Sequence, residues 1–514
     1  MNAAQEKLGE RLKERFKPDL DANVKEIIRI LGHSVDISVR EFELGGNGQP
    51  SSRGAFISLE GLTDVSIVEG LLEGLLEPRG NEGADGNRLS PKEIGKRKLV
   101  SPSISTCEML GEGISGIVAG DTLVMFEEAE EALLVCTRAP KERAIEEPSS
   151  ENNVRGPRDG FTECIRSNTA MVRRRLKDPM LRFEGMVVGE RSRTDVNVAY
   201  IADIAKEELV AEVRRRLQRI KIDAILESGN IEELIEDSPL SPFDLVQSTE
   251  RPDRVASALL EGRVAIFIDT TPFVLIVPTF FWQYFQAPDD YYHRFWVGTF
   301  FRLVRYVAFL ISLLLPSIYV MLVSFHHEMI PTSLALTIAS GREVVPFPVL
   351  LEALIMEFAF ELMREAGLRM PKPIGQAVSI VGSLIIGQAA VQAGLISPFM
   401  VIIVAVTGIS SFATPSYSSS LAIRLLRFPL LLASGMLGLL GFTTMFFIIL
   451  LHALSLRSFG VSYLTPASPY RPSDQRDMVL RVPIWMMDER PETAKDKQRM
   501  GEMQMPAKPK EGGA

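Results

Sequence analysis

The sequence predicts an α+β N-terminal region of two lobes followed by a polytopic α-helical membrane domain. Three observations carry that reading. The average composition is nearly that of a soluble protein, with 24% charged residues and a mean hydropathy of +0.12, but it hides a split. The chain is rich in charge before about residue 300, strongly apolar from there to residue 457, and polar again afterwards. Ile374–Ile423 contains no Asp, Glu, Lys or Arg, long enough for two helices where roughly 20 apolar residues cross a bilayer core. Ahead of residue 279, short β-rich runs alternate with amphipathic helical patterns. The predicted domains are residues 1–150 (first α/β lobe), 151–278 (second α/β lobe), 279–457 (transmembrane domain of four or five spans) and 458–514 (polar C-terminal tail).

In chain order, a helical lead-in over residues 1–32 places Leu12, Phe16, Leu20, Val24, Ile27, Ile28 and Leu31 near helical spacing. VDISVREFEL and RGAFISLEGL read as strands, and LTDVSIVEGLLEGLL as an amphipathic helix. Gly120-Asp121 between two β-rich runs has the signature of a hairpin. EALLVCT reads as a further strand, and residues 139–153 form a linker with two prolines. The second lobe reads as a turn and helix to residue 178, two strands across MLRFEGMVVGERSRTDVNVAYI, an amphipathic helix in AKEELVAEVRRRLQRI, a short strand in KIDAIL, and a hairpin in EGRVAIFIDTTPFVLIVP. Both lobes use the same elements without a visible sequence repeat. The basic runs Arg173–Arg175 and Arg214–Arg216 are expected on a solvated or inter-lobe salt-bridged helix face.

Thr279–Trp296 is rich in aromatic residues, which suits the headgroup region at the start of a span. Tyr306–Phe325 follows, with Pro316 expected to kink or interrupt it. VVPFPVLLEALIMEFAFELMREAG begins with a first-turn proline and continues as a helix carrying Glu352, Glu357, Glu361 and Arg364. Glu357, Glu361 and Arg364 share a face about 60° wide, with Glu352 off it. Carboxylates within membrane helices are costly and usually face a bundle interior or a water-filled path. Three readings stand together: an internal Glu361–Arg364 pair on an interfacial helix, a cation-attracting ring around a pore between subunits, or contacts with a partner protein. Beyond it, Gln376, Ser379, Ser383, Gly387, Ala390 and Gly394 form a stripe of small and weakly polar residues suited to close helix packing. Gln388 and Gln392 add a second polar face.

The last apolar run is Phe428–Leu456. If the glutamate helix spans, there are five crossings and the tail lies outside; if it is re-entrant, there are four. Lys372, Arg424 and Arg427 favour five, whereas Arg457, Arg471, Arg476 and Arg481 favour a tail inside. MNAAQEKLGERLKERFKPDL lacks an apolar core of the secretory type, so the N-terminal domain is expected in the cytoplasm. Past about residue 466 the tail is expected to be disordered at its end.

The composition excludes several functions. A net charge of −9 argues against a nucleic-acid partner. Cys107, Cys136 and Cys164 are odd in number and far apart, which fits neither a disulfide framework nor zinc. GEGISG, residues 111–116, matches G-x-G-x-x-G, but a strand-like run follows it, so it reads as a loop. His326-His327-Glu328 lacks the spacing of a zinc helix. No catalytic, cofactor-binding or metal constellation is predicted.

Longer motifs then resemble one family. GPRDGF with RRRLKDP (156–179), ERPDRVASALLEGRVAIFIDTTPFVLIVP (250–278), LPSIYVMLVSFHHEMIP (315–331), MPKPIGQAVSIVGSLIIGQAAVQAGLISP (370–398) and LRFP with LRSFGVSYLTP (426–466) are similar to the A subunits of GerA-type spore germinant receptors. The resemblance covers about residues 35–470. It implies a protein of the spore inner membrane acting with a transporter-like B subunit and a lipoprotein C subunit to sense nutrients and trigger germination. It further implies a homo-oligomer forming a cation channel, with no cofactor. A relative within the family, the A-like subunit encoded in the SpoVA operon, instead implies an amplifier of ion release. Beside these stands a non-conducting scaffold that relays a signal.

Overall fold

The computed structural model describes residues 9–44, 52–76, 103–138, 147–148, 151, 153–370, 385–472, 474–491 and 493–499. The chain divides into two compact units, one of residues 1–236, 246–278 and 485–514, the other of 237–245 and 279–484.

The first unit holds both lobes. Lobe one runs α1 (Leu20–Leu31), β1 (Ile37–Leu44), β2 (Ser52–Leu59), α2 (Val65–Leu76), β3 (Ile104–Cys107), α3 (Leu110–Ala119), β4 (Thr122–Phe126) and β5 (Ala132–Val135). Lobe two runs α4 (Ile165–Arg175), β6 (Leu181–Val188), β7 (Thr194–Ile201), α5 (Glu207–Arg219), α6 (Ser228–Ile235), β8 (Gln247–Thr249), α7 (Pro252–Leu260), β9 (Val264–Ile268) and β10 (Val274–Val277). The sheet orders are β1-β2-β4-β5-β3 and β6-β7-β9-β10-β8. Each lobe thus repeats one antiparallel topology, in which the short third strand closes the far edge. Local patterning explains the elements. α1 is capped by the Asp19 carboxylate on the Ala22 N–H and buries Leu20, Val24, Ile27 and Leu31. It ends at Gly32, whose φ of 72° favours glycine.

Three expectations change here. GEGISG is not a loop but lies in α3, and Gly120 is the left-handed cap of that helix rather than a hairpin tip. The pattern misled because glycine is a poor helix former, yet Gly113 and Gly116 let Phe16, Leu123 and Leu134 pack directly on the α3 backbone. KIDAIL is not a strand; its Ile222 and Asp223 carbonyls instead accept from the Glu190 and Arg191 N–H groups of the β6–β7 turn.

Buried polar groups join the lobes. Arg173 on α4 donates to both Asp36 oxygens, at 2.7 and 3.0 Å, and to the Leu181 carbonyl. It also lies 5.0 Å over the Phe183 ring. The Val35 N–H donates to the Phe183 carbonyl and Arg182 to that of Ile30. The inter-lobe expectation for the first basic run holds for Arg173; Arg175 pairs with Asp159, Arg214 with Glu184, and Arg215 and Arg216 with Glu212. Part of the C-terminal tail belongs to this unit too. Ala494 sits in the lobe-two core, the Lys495 N–H donates to Ile204, and Arg490 donates to Leu260. Residues 485–499 are therefore packed on this unit through much of their length, and the end of the tail, residues 500–514, lies outside the described residues.

The second unit is helical: α8 (Phe295–Phe325), α9 (Thr332–Arg342), α10 (Val349–Arg369), α11 (Pro398–Ser411) and α12 (Tyr417–Ser455), followed by the two-residue strands β11 (Arg457–Ser458) and β12 (Val461–Ser462). α8 and residues 418–455 are long and apolar enough to cross a bilayer. α8 continues through Pro316 rather than stopping there. α12 breaks at Gly438 (φ 60°, ψ −135°). Its first limb runs beside α8, with Arg427 at Ser312 and Gly438 at Phe325 and His326. Its second limb returns, so Ile449 and Ala453 reach the cluster around Phe243 and Phe281, whose ring contacts Phe309.

Candidate functional site

The glutamates of α10 are the most unusual groups in the helical unit. α10 runs parallel to α11, with Phe360 filling the space beside Gly408, and antiparallel to the first limb of α12, with Leu350 against Gly435. That arrangement turns every core-facing carboxylate toward an arginine or a helix N-terminus.

Glu352 and Glu357 are 0% and 1% exposed. The Ser397 N–H and hydroxyl both donate to Glu352 at 2.6 Å, so its carboxylate sits on the N-terminus of α11, where the helix dipole favours negative charge. Arg342 lies 3.0 Å from its other oxygen. Glu357 accepts from Arg427 at 2.6 Å, and Arg427 also donates to the Ser312 hydroxyl at 3.0 Å. Glu361 accepts from Arg424 at 2.6 Å. Arg364 donates to Ser411 at 3.2 Å and stacks 4.2 Å over the Phe412 ring.

One sequence expectation is corrected by this geometry. Glu361 does not pair with Arg364; its partner comes from α12, and Arg364 is drawn toward α11. Within this subunit a cation offsets each of Glu352, Glu357 and Glu361. Buried carboxylates left unpaired would cost several kcal/mol each, on the order of the penalty for breaking a buried pair. Of the packing stripe, Gln376, Ser379 and Ser383 lie outside the described residues. Gly387 and Gln388 line an open groove of about 580 Å³ with Val391, Gln392, Pro398, Val401 and Ile402. Ala390 packs into the cluster containing Met400 and Val404, and Gly394 lies near Val344.

A second charged cluster had no prediction. Arg302, 0% exposed, donates to Asp290 at 3.3 Å and to Asp477 at 2.9 Å. Arg305 donates to Asp290, and Arg481 to the carbonyls of His293 and Tyr291. It fastens residues 477–481 to the start of α8. The available signal was Asp290 within an aromatic segment, followed by two arginines three residues apart; Asp477 was too distant in sequence to be connected. Among the described residues no three His, Cys, Asp or Glu side chains converge on a metal-sized site.

The family model described as Bacillus/Clostridium GerA spore germination protein matches residues 25–493. The chain belongs to the GerA family of spore germination proteins. Among GerA-family relatives, spore germination protein KA of Bacillus subtilis is 43% identical over 96% of this chain and 90% of its own length. Spore germination protein GerLA of Bacillus cereus is 41% identical over 91% and 94%. The uncharacterized membrane protein YfkQ of Bacillus subtilis is 40% identical over 93% and 92%. The crystal structure of the N-terminal domain of the A subunit of the Bacillus megaterium spore germinant receptor GerK3 covers 53% of this chain and 99% of that one, at 35% identity and a TM-score of 0.41. Membership of the GerA family assigns this chain a role in spore germination.

Proposed function

We propose that the chain is the A subunit of a nutrient-germinant receptor in the spore inner membrane, where copies assemble into a germinant-gated cation channel. A transporter-like B subunit and a lipoprotein C subunit complete the receptor. The observation that carries the membrane reading is the outer face of the helices. Leu351, Ile355, Phe358 and Leu362 on α10, and Ile402, Val406 and Ile409 on α11, are exposed apolar residues at helical spacing. Apolar faces of this length suit lipid or another subunit.

The reading has six crossings rather than four or five. Five of them are α8, α10, α11 and the two limbs of α12, and the sixth follows from α10 and α11 running parallel, which brings the chain back to its starting side between them; residues 371–384 themselves lie outside the described residues. The extra pass comes from the break at Gly438. An even count keeps the tail on the side of lobe two, which fits the packing of residues 485–499 into that lobe. α11, 14 residues and about 21 Å, is short for a hydrocarbon core of about 30 Å and needs its flanks or a locally thinned bilayer.

In this reading Glu352, Glu357, Glu361 and Arg364 set the position of α10 instead of presenting a ring of free charge. A second reading, a non-conducting scaffold, draws on the same neutralised glutamates. Cation release from spores after nutrient addition separates the two. The intact chain, a deletion, and the Glu357→Gln/Glu361→Gln variant are compared at matched protein levels. Loss of release or altered ion preference in an assembled complex supports the channel; release unaffected by the deletion favours the scaffold or an amplifier.

A further inference from the structure

The carboxylates of α10 and the arginines of α12 have matching one-turn spacings. Glu357, Glu361 and Glu365 recur every four residues on α10, and Arg424 and Arg427 are one turn apart on the first limb of α12. The antiparallel packing sets Glu357 at Arg427 and Glu361 at Arg424. Three carboxylates thus face two guanidiniums. The third, Glu365, has no part in the present register: its side chain is 57% exposed and pairs with Arg369 on its own helix.

A displacement of α10 toward its N-terminal end by one turn, about 5.4 Å, brings Glu361 to Arg427 and Glu365 to Arg424. Both arginines stay neutralised in either register, while Glu357 passes one turn beyond Arg427 and gives up its cation, which places the shifted register above the resting one. The observed pairs are also single-point. Glu357 Oε1, Glu361 Oε1, Arg427 Nε and Arg424 Nη2 are buried without a hydrogen-bond partner. A fixed strut of carboxylate and guanidinium favours the two-bond fork; half-used groups retain capacity for a second partner during a slide. Glu352–Ser397 and Arg364–Ser411 tie α10 to α11, so the two helices can travel together. Packed elements switch between discrete arrangements, and a one-turn step is one of them.

We propose that α10 and the first limb of α12 form a two-position charge ratchet, and that a one-turn slide between registers is the switching motion of this subunit. The inference rests on the receptor reading only in needing a nutrient response.

Glu365 provides the test. An exposed pair contributes little to a fixed bundle, so a static structure predicts native behaviour for Glu365→Gln. The ratchet predicts that this variant, at matched protein level in spores, responds to nutrient about tenfold more slowly or worse, because only the shifted register loses a partner. Glu365→Asp keeps the charge and retains the response. Cysteine pairs read the register directly. Leu350→Cys with Gly435→Cys crosslinks before nutrient, and Leu354→Cys with Gly435→Cys crosslinks after it. Native kinetics in Glu365→Gln, or a crosslink pattern indifferent to nutrient, overturns the ratchet. A changed pattern without cation release leaves the ratchet standing and refutes the channel, so the two failures are distinguishable.

Discussion

Arg173→Met should loosen the first unit more than any surface substitution. The guanidinium is 1% exposed and the Asp36 side chain 9%. Its removal leaves the Asp36 carboxylate buried without its cation, strips a donor from the Leu181 carbonyl, and removes the contact with the Phe183 ring. Breaking a buried pair from one side costs about 3–5 kcal/mol. That is roughly two to four powers of ten in the opening equilibrium. At about 1–3 kcal/mol per molar urea, the unfolding midpoint falls by roughly 1–5 M. The Cys107 thiol reports the transition, since it is 3% exposed in the lobe-one core and burial pushes its pKa up to about 12, with Glu112 adding to the effect. With Cys136→Ser and Cys164→Ser in the background, alkylation of Cys107 against urea gives the midpoint in the full chain. Asp36→Leu added to Arg173→Met should recover much of the loss, because two matched apolar groups leave no stranded charge. A midpoint within about 0.3 M of the parent for Arg173→Met would refute the reasoning, the smallest predicted shift being three times that.

Three further outcomes are expected. Gly438→Ala should lower the thermal stability of the detergent-solubilised chain, because φ there is 60° and a Cβ would stand 2.9 Å from the His326 ring; an unchanged melting curve would show that α12 does not bend there. Cys164 should be alkylated well before Cys107 in the folded chain at neutral pH: burial raises the Cys164 pKa, but hydrogen bonds from Ser167 and Arg166 outweigh it and the net shift is downward. Equal labelling rates by mass spectrometry would contradict this. Glu212 is held down to about 2 by hydrogen bonds from Arg215 and Arg216, against a smaller effect of burial. Its folded pKa lies below the ordinary glutamate value of 4.5, so its contribution is present above about pH 4.5 and fades as pH falls toward 2. The Glu212→Gln deficit in urea midpoint should therefore shrink over that window; a deficit constant from pH 7 to pH 2 would rule the linkage out.

Much of this was legible in the chain. Hydropathy and spacing are local properties, so the two-lobe α+β region, the apolar helices, most strands and the family motifs could be read directly. The failures were local signals overridden by distant packing. GEGISG became helix because its glycines admit Phe16, Leu123 and Leu134, and the stretch around Ala494 packed because lobe two offers that residue a core position. Gly438 was hidden for another reason. A single glycine in an apolar run costs about 1 kcal/mol in a helix whether or not the chain turns there, so the run read as one span.

The sequence by itself determined that α10 is a helix carrying carboxylates at one-turn intervals, and that arginines exist to meet them. Only the tertiary structure decided which ones do. Arg364 stands three residues from Glu361 on the same helix, yet Glu361 bonds Arg424, 63 residues away. Helix periodicity fixes the direction of each side chain about its own axis. The partner depends on which helix lies along that face, in which direction and at what register, and those follow from long-range apolar packing that no local spacing records.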